Sequence, residues 1–242
     1  MNMKILVHTY DTAYQNKAGG VHSRIDRTVK ELIRLGVEVD FFDKYKTNIA
    51  EYDILHIFKL DVSSRQLVKY AKSLGIKVVI SSIMSMDKGS VVDLYWKLRM
   101  LPINTIYKWL FEICDKSDSI VVETPKESRY IIKHFHVKSN RVHILPNGVD
   151  PISCVDDSVY NVIGNSNKYV LCLGRFDSNK NQINAIRALK GTDIDLVLIG
   201  GPDSRSIEYY RQCLREAGDS RNIHFLGWLD SSEPLFKSAL SN

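Results

Sequence analysis

Short apolar runs alternate with amphipathic stretches along most of the chain, and the alternation predicts strands and helices in turn. Lys4 to His8 (KILVH) reads as a buried strand. After a polar loop, Val21, Ile25, Val29, Leu32 and Ile33 fall at helical spacing. Gly36 stops that helix, and Val37 to Phe42 is the next strand. Strand, helix and strand in this order form a βαβ unit, the start of a parallel sheet. Asp53 to Phe58 and Lys77 to Ile80 predict two further strands, with a helix over Ser63 to Leu74 between them. Val91 to Ile113 is a long amphipathic stretch that Pro102 divides into two helices. Ser119 to Val122 is a fifth strand. Thr124 then supplies a capping hydroxyl, Pro125 sits in the first turn, and Glu127 follows the cap by three residues, so a helix runs from there to about His136. Arg141 to Leu145 predicts a sixth strand, closed by the rigid turn Pro146 to Asp150.

From Pro151 to Asn167 the chain is polar and lacks periodicity, which reads as a linker. The expected division is a domain over 1–150, a linker over 151–167 and a second domain over 168–242. The second part repeats the first pattern. Tyr169 to Leu173, Asp195 to Ile199 and Asn222 to Leu226 predict strands; Asn181 to Lys190 and Ser206 to Ala217 predict helices, and another helix starts near Ser231.

Bulk properties narrow the function. The chain has 242 residues, 44% hydrophobic and 25% charged, enough for one large core or two modest ones. A net charge of +5 suits a phosphorylated ligand or an anionic membrane surface, and no aromatic-and-basic RNA-binding signature accompanies it. Cys114, Cys154, Cys172 and Cys213 are scattered, with no CxxC pair and no zinc-ligand spacing, as expected of reduced thiols in a cytosolic protein. The apolar run in MNMKILVHTYD is too short for a signal peptide, and no run of 18 apolar residues occurs, so no transmembrane span is expected.

The candidate chemistry centres on Tyr169 to Gln182, YVLCLGRFDSNKNQ. A strand gives way to Gly174 and Arg175, then to a polar turn and Lys180 near a helix start. A helix N-terminus favours anions, a guanidinium binds oxygens as a fork, and an ammonium adds a point charge. The alternative is two solvated cations beside an ordinary turn. Gly19 and Gly20 precede the first helix, where glycine admits a ligand close to backbone N–H groups or simply serves a turn; the full GxGxxG pattern is absent. Ligands of open α/β sheets bind beyond the carboxyl ends of the strands, which places His56, Lys59, Asp61, Ser85 and Asp87 as cleft candidates. Each also reads as a cap or loop residue, and His56 as a core histidine. Tyr95, Trp96, Lys97, Arg99, Tyr107, Lys108 and Trp109 read either as a membrane-touching surface or as an amphipathic core helix pair; the second reading is preferred.

Five pieces, in this order, resemble the retaining glycosyltransferases of the GT-B fold, the "group 1" or family four transferases: Gly19-Gly20, the PNGVD turn, GRFDSNKNQ, LVLIGGP and IHFLGWL. The resemblance covers nearly the whole chain. It implies an α/β, GT-B-like architecture of two Rossmann-like parallel-sheet domains, the second incomplete. It implies transfer of a hexose from a UDP- or GDP-sugar with retention, without an obligatory metal, in bacterial-type surface polysaccharide or glycolipid synthesis. Expected partners are the nucleotide-sugar donor and a glycan or lipid-linked acceptor, on the cytoplasmic side and with peripheral membrane contact as one reading; nucleic acid is not expected. Arg175 and Lys180 match the residues that bind the donor diphosphate. Gly19 and Gly20 are implied at the same phosphates, and Gly174, Gly201, Phe225, Leu226 and Gly227 at the donor, largely through backbone. Asp87 stands where similar proteins carry a polar pair near the sugar, here within SSIMSMDKG. The family's two glutamates, with seven residues between them, are expected beyond the next strand, and Glu233 precedes that position. A shortened second domain is therefore expected, with Tyr169 to Leu173 an apolar edge that a partner or further chain completes. Such a chain is expected to transfer sugar poorly alone. A non-catalytic nucleotide-sugar-binding module is the alternative, and a nucleotide-sugar epimerase a third reading.

Overall fold

The computed structural model describes residues 3–10, 13–14, 20–84, 86, 88–149, 157–164 and 168–242. The chain forms two compact units, Met1–Gly148 and Val149–Asn242.

In the first unit the strands are β1 (Lys4–Thr9), β2 (Glu38–Phe41), β3 (Ile54–Phe58), β4 (Lys77–Ser81), β5 (Ser119–Val122) and β6 (Val142–Ile144). They form one parallel sheet in the order β2-β1-β3-β4-β5-β6. The helices that return the chain are α1 (Gly20–Arg34), α2 (Arg65–Ser73), α3 (Gly89–Lys97), α4 (Ile106–Lys116) and α5 (Pro125–His134). Strand residues alternate between faces. Ile5 and Val7 therefore pack with Ile25 and Val29 of α1, while Leu6, Leu55, Ile57, Ile80 and Ile120 pack with the helices of the opposite layer. The predicted start of α5 is present: Thr124 Oγ1 accepts from the Glu127 backbone N–H at 3.2 Å. The Glu127 carboxylate takes the N–H of Glu123 at 2.6 Å, one residue earlier than a strictly reciprocal box. Pro102 lies between α3 and α4, so the long amphipathic stretch is divided as its sequence predicts.

The second unit holds α6 (Ser158–Ile163), β7 (Tyr169–Leu173), α7 (Gln182–Leu189), β8 (Asp195–Ile199), α8 (Ile207–Ala217), β9 (Ile223–Gly227) and α9 (Pro234–Ser241). Its smaller sheet is parallel, in the order β7-β8-β9. Every residue of β8 is buried, as a central strand covered on both faces requires. Leu196 and Leu198 meet Ile186 of α7 and Cys213 of α8; Val197 and Ile199 meet Val159 and Ile163 of α6 and Ala239 of α9. The stretch expected as a linker thus contributes a helix to the second core. It is fastened there by a hydrogen bond from the Val159 N–H to Ser238 Oγ at 3.0 Å. β7 lies at the sheet's edge, with Val170 and Leu173 exposed.

Candidate functional site

All strands of a parallel sheet end on the same side, so the second sheet gathers the residues that follow β7, β8 and β9 along one rim. Gly174, Gly200, Gly201 and Gly227 all fall there. Their backbones interlock: Gly174 N–H donates to Ile199 O at 2.9 Å, Gly200 N–H to Gly227 O at 2.7 Å, and Phe176 N–H to Gly201 O at 3.0 Å. Gly200 has φ +132, and a Cβ there lies 2.1 Å from the Gly174 carbonyl oxygen. Only glycine allows two strand ends to approach so closely. Gly174 and Gly227 keep part of their surface accessible at this rim, while Gly200 and Gly201 are buried beneath it.

Arg175 leaves this rim between two carboxylates. Its Nη2 is 3.0 Å from Asp177 Oδ2 and its Nη1 is 3.2 Å from Asp203 Oδ2. Its Nε is buried without a hydrogen-bond partner. Asp203 also accepts from the backbone and side chain of Arg205, at 2.9 and 3.1 Å, and from Ser206 Oγ at 3.0 Å. Burial pushes the Asp203 carboxyl up, but the Arg205 and Ser206 hydrogen bonds and the Arg175 charge outweigh it and bring it down to about 2. Asp177 caps the short turn Ser178–Lys180, accepting the Asn179 N–H at 3.0 Å. That bond leads in holding its carboxyl below the ordinary range, and Arg175 adds to it. Gln182 is buried beneath the loop and donates to Arg175 O at 2.9 Å, which fixes the backbone that carries the guanidinium.

Lys180 ends the short turn, two residues ahead of α7, and is exposed with no carboxylate at ion-pair distance among the described residues. At the start of α7 the Ile183 N–H donates to Tyr209 Oη at 3.1 Å, so one of the helix's orphan donors is already used. Positive character at this end comes from the helix dipole and from Lys180. Phe225 and Leu226 turn to opposite faces of the sheet. The Phe225 ring stacks on Phe176 at 5.8 Å and Leu226 packs with the α6 and α9 layer, which leaves their backbone for any contact at the rim. Trp228, half exposed, reaches over Gly201, where a Cβ lies 2.5 Å from its Nε1.

In the first unit, Gly20 opens α1 with open space where a Cβ points. Gly19, Ser85 and Asp87 lie outside the described residues. Asp61 caps the turn Val62–Ser64, accepting the Ser63 N–H at 3.0 Å, and Lys59 sits 4.0 Å over the Tyr10 ring. His56 bonds Ser81 Oγ at 2.9 Å and stacks on Phe58 at 4.2 Å. A sliver of its surface remains accessible, yet the packing around the ring governs its charge: burial first, and then the positive charge of Arg24, lower its pKa to about 4. It is a core histidine. Beyond the carboxyl ends of β1 and β2 lies a cavity of about 650 Å³, lined by His8, Tyr10, Tyr14, Asp26, Phe41 and Phe42 among others. Tyr14 Oη donates to Asp26 at 3.0 Å, and burial first and then that carboxylate raise the tyrosine's pKa.

Residues 43–152 match the model of Glycosyltransferase Family 4. The match lies almost wholly in the first unit. Among solved structures, an Anabaena protein, HepE, in complex with UDP and glucose is similar at 12% identity and a TM-score of 0.62, over 95% of this chain and 70% of that one. A glycosyltransferase from Rickettsia africae is similar at 14% identity and 0.59, over 95% and 69%. The lipopolysaccharide outer core galactosyltransferase WaaB is similar at 13% and 0.55, over 96% and 69%. No curated protein sequence matches. At these identities the likeness is one of fold: parallel-sheet α/β units matching those of GT-B glycosyltransferases.

Sequence reasoning found the rim glycines and Arg175 but missed its two carboxylates. Asp203 lies 28 residues from Arg175, and only the pairing of β7 with β8 brings them together. The signal for Asp203 was local: an Asp after Gly-Gly-Pro marks a turn whose side chain bonds its own backbone. The aromatic cavity was missed because Tyr10 and Tyr14, in the connection between β1 and α1, are far along the chain from Phe41 at the end of β2.

Proposed function

We propose that the chain moves a sugar from a nucleoside diphosphate sugar, UDP- or GDP-linked, to a glycan or lipid-linked acceptor, with the anomeric configuration retained. The observation that carries the proposal is the rim of the second sheet, where the partly accessible backbone of Gly174 and Gly227 accompanies Arg175 and Lys180. The family match over residues 43–152 and the UDP and glucose held by the similar HepE structure support it. As the glycosidic bond to the donor breaks, the departing diphosphate gains negative charge. Cations and a helix N-terminus already in place stabilise that charge without reorganising. Asp177 and Asp203 orient the Arg175 guanidinium before the donor arrives and offset much of its charge, so Lys180 carries the net positive charge of the clamp. Backbone of Gly174, Gly201, Phe225, Leu226 and Gly227 is assigned to the donor, Gly19 and Gly20 to its phosphates, and Asp87 to a place near the transferred sugar. The acceptor is assigned to the cavity beyond β1 and β2, whose aromatic faces suit sugar rings. The proposed setting is the cytoplasmic face of a membrane, in surface polysaccharide or glycolipid synthesis.

One observation favours a non-catalytic nucleotide-sugar-binding module as a second reading: both Nη groups of Arg175 are already engaged by carboxylates. Calorimetry with UDP, GDP and their sugars, paired with product detection on mixed glycan and glycolipid acceptors, separates the two. Binding with turnover supports the transferase. Binding without turnover leaves the module, and no binding by any nucleotide removes both.

A further inference from the structure

A second cavity, of about 440 Å³, opens in the first unit between the C-terminal ends of α3 and α5 and the side of α4. Its wall is a stack: the Arg99 guanidinium lies 3.8 Å over one side of the Trp96 system and the His136 ring 4.1 Å from it, with Phe111 at the indole edge at 5.0 Å. His136 follows α5 with φ +53, a conformation that glycine usually fills at a helix end. The imidazole is kept there against that preference. Arg99, Lys108, Lys138 and Arg141 all line the cavity. None of the four has a carboxylate at ion-pair distance among the described residues. Of the two acids in the lining, Glu112 is already held by Arg65 at 2.6 Å and Lys69 at 3.7 Å, and Asp115 is exposed with no ion pair among the described residues, so the four cations outnumber the acids that face them. Arg99 donates to Trp96 O at 2.8 Å and Lys108 to Leu101 O at 3.1 Å; Arg141 gives one Nη to Cys114 O, and its Nε is buried with no hydrogen-bond partner among the described residues. Four gathered cations repel one another, and a buried N–H without an acceptor costs free energy. Both facts point to an anion that is part of the working state.

The cavity's lip shows where that anion comes from. Met100 is 83% exposed and Ile106 61%, and between them Leu101 and Ile103 are also exposed, all on the segment from the cavity to the start of α4. The aromatic residues of the neighbouring helices do not supply this surface: Tyr95 and Tyr107 stack on each other at 4.7 Å, and Trp109 lies under Arg65. An apolar lip beside a cavity whose cations outnumber its acids is the arrangement that a lipid interface complements, acyl chains against the lip and phosphate in the cavity. We propose that this cavity is a phospholipid-headgroup site, in which Arg99, Lys108, Lys138 and Arg141 hold the phosphate while Met100 to Ile106 enters the apolar layer. The proposal concerns the first unit alone and does not depend on sugar transfer.

Sedimentation of the whole 242-residue chain with vesicles tests it. The chain is expected to pellet with phosphatidylcholine vesicles that carry phosphatidylglycerol and to stay in solution with phosphatidylcholine alone. Lys108→Gln with Lys138→Gln is expected to weaken partitioning about thirty-fold, from the usual contribution of two cations at an anionic surface. Lys30→Gln with Lys126→Gln, which removes the same charge from other exposed positions, is expected to leave it within about twofold. Ile103→Ser with Ile106→Ser spares the cavity and is expected to weaken partitioning through the lip. Equal pelleting with both vesicle types overturns the proposal, and so does equal loss in the two charge pairs. Release of the chain from vesicles by inorganic phosphate at matched phosphate concentration reassigns the cavity to a free anion and overturns the lipid assignment.

Discussion

Acidification should weaken the first unit through His56. An imidazole in the unfolded chain titrates near 6.5, and in the fold burial holds it neutral down to about 4. Above the first value neither state carries the proton, and below the second both do. Between them the unfolded chain binds more protons, so stability falls as pH falls. At about 1.36 kcal/mol per pH unit of separation, the whole window is worth about 3.4 kcal/mol, of which about 2 kcal/mol is lost by about pH 5. A loss of that size is a large fraction of the stability of an ordinary domain. The assay has two arms. The His56 ring protons are titrated by NMR, and urea unfolding is followed through Trp96 and Trp109, both in the first unit, at about pH 7.5 and about pH 5. His56→Gln keeps a polar partner for Ser81 without a titrating group. Its stability difference between the two pH values should be smaller than that of the parent by about 2 kcal/mol. A ring that titrates near 6.5, or a variant with an undiminished pH dependence, refutes the reasoning.

Three other outcomes are expected. Arg175→Ala and Lys180→Ala should each lower UDP or GDP affinity by about 1–3 kcal/mol in calorimetry, as the loss of a charge-assisted contact; unchanged affinity in both removes the diphosphate assignment. Gly200→Ala should destabilise the second unit by about 1–3 kcal/mol or more, read as a lower melting temperature by Trp228 fluorescence, because its Cβ meets the Gly174 carbonyl. Ile163→Ala should cost about 2–5 kcal/mol and loosen hydrogen-exchange protection in β8; an unaffected second unit contradicts the packing of α6 into that core.

The strands were legible because a doubly covered parallel strand is a short apolar run, as β8 is, and because turn glycines bracket it. The helix starts were legible where a cap is spelled out, as at Thr124. The helix α6 was missed for a physical reason. Six residues make little periodicity, and polar segments surround them. Its signals were Val159 and Ile163 four apart and Gly164 in the left-handed region as a stop. At the candidate site, sequence showed which residues attract anions but not what already neutralises them. Asp177 is two residues from Arg175 and was readable as a partner. Asp203 needed the sheet. Of the two readings of the aromatic and basic stretch, the core helix pair agrees with the aromatics, which pack internally, while the exposed apolar surface belongs to Met100, Leu101, Ile103 and Ile106. Spacing along a helix cannot decide that, because it depends on which side α3 and α4 turn to each other.

The strand order of the first sheet has a consequence for how the chain is made. After β1 pairs with β2 on one side, β3 joins β1 on the other, and β4, β5 and β6 follow, each beside the strand before it. No strand has to enter between two that are already paired. During synthesis, at roughly 5–20 residues per second, each new strand with its helix can settle on a finished edge as it emerges. The first unit is therefore able to assemble in the direction of translation, with one open, growing margin at any moment. The second sheet follows the same rule from β7 to β9.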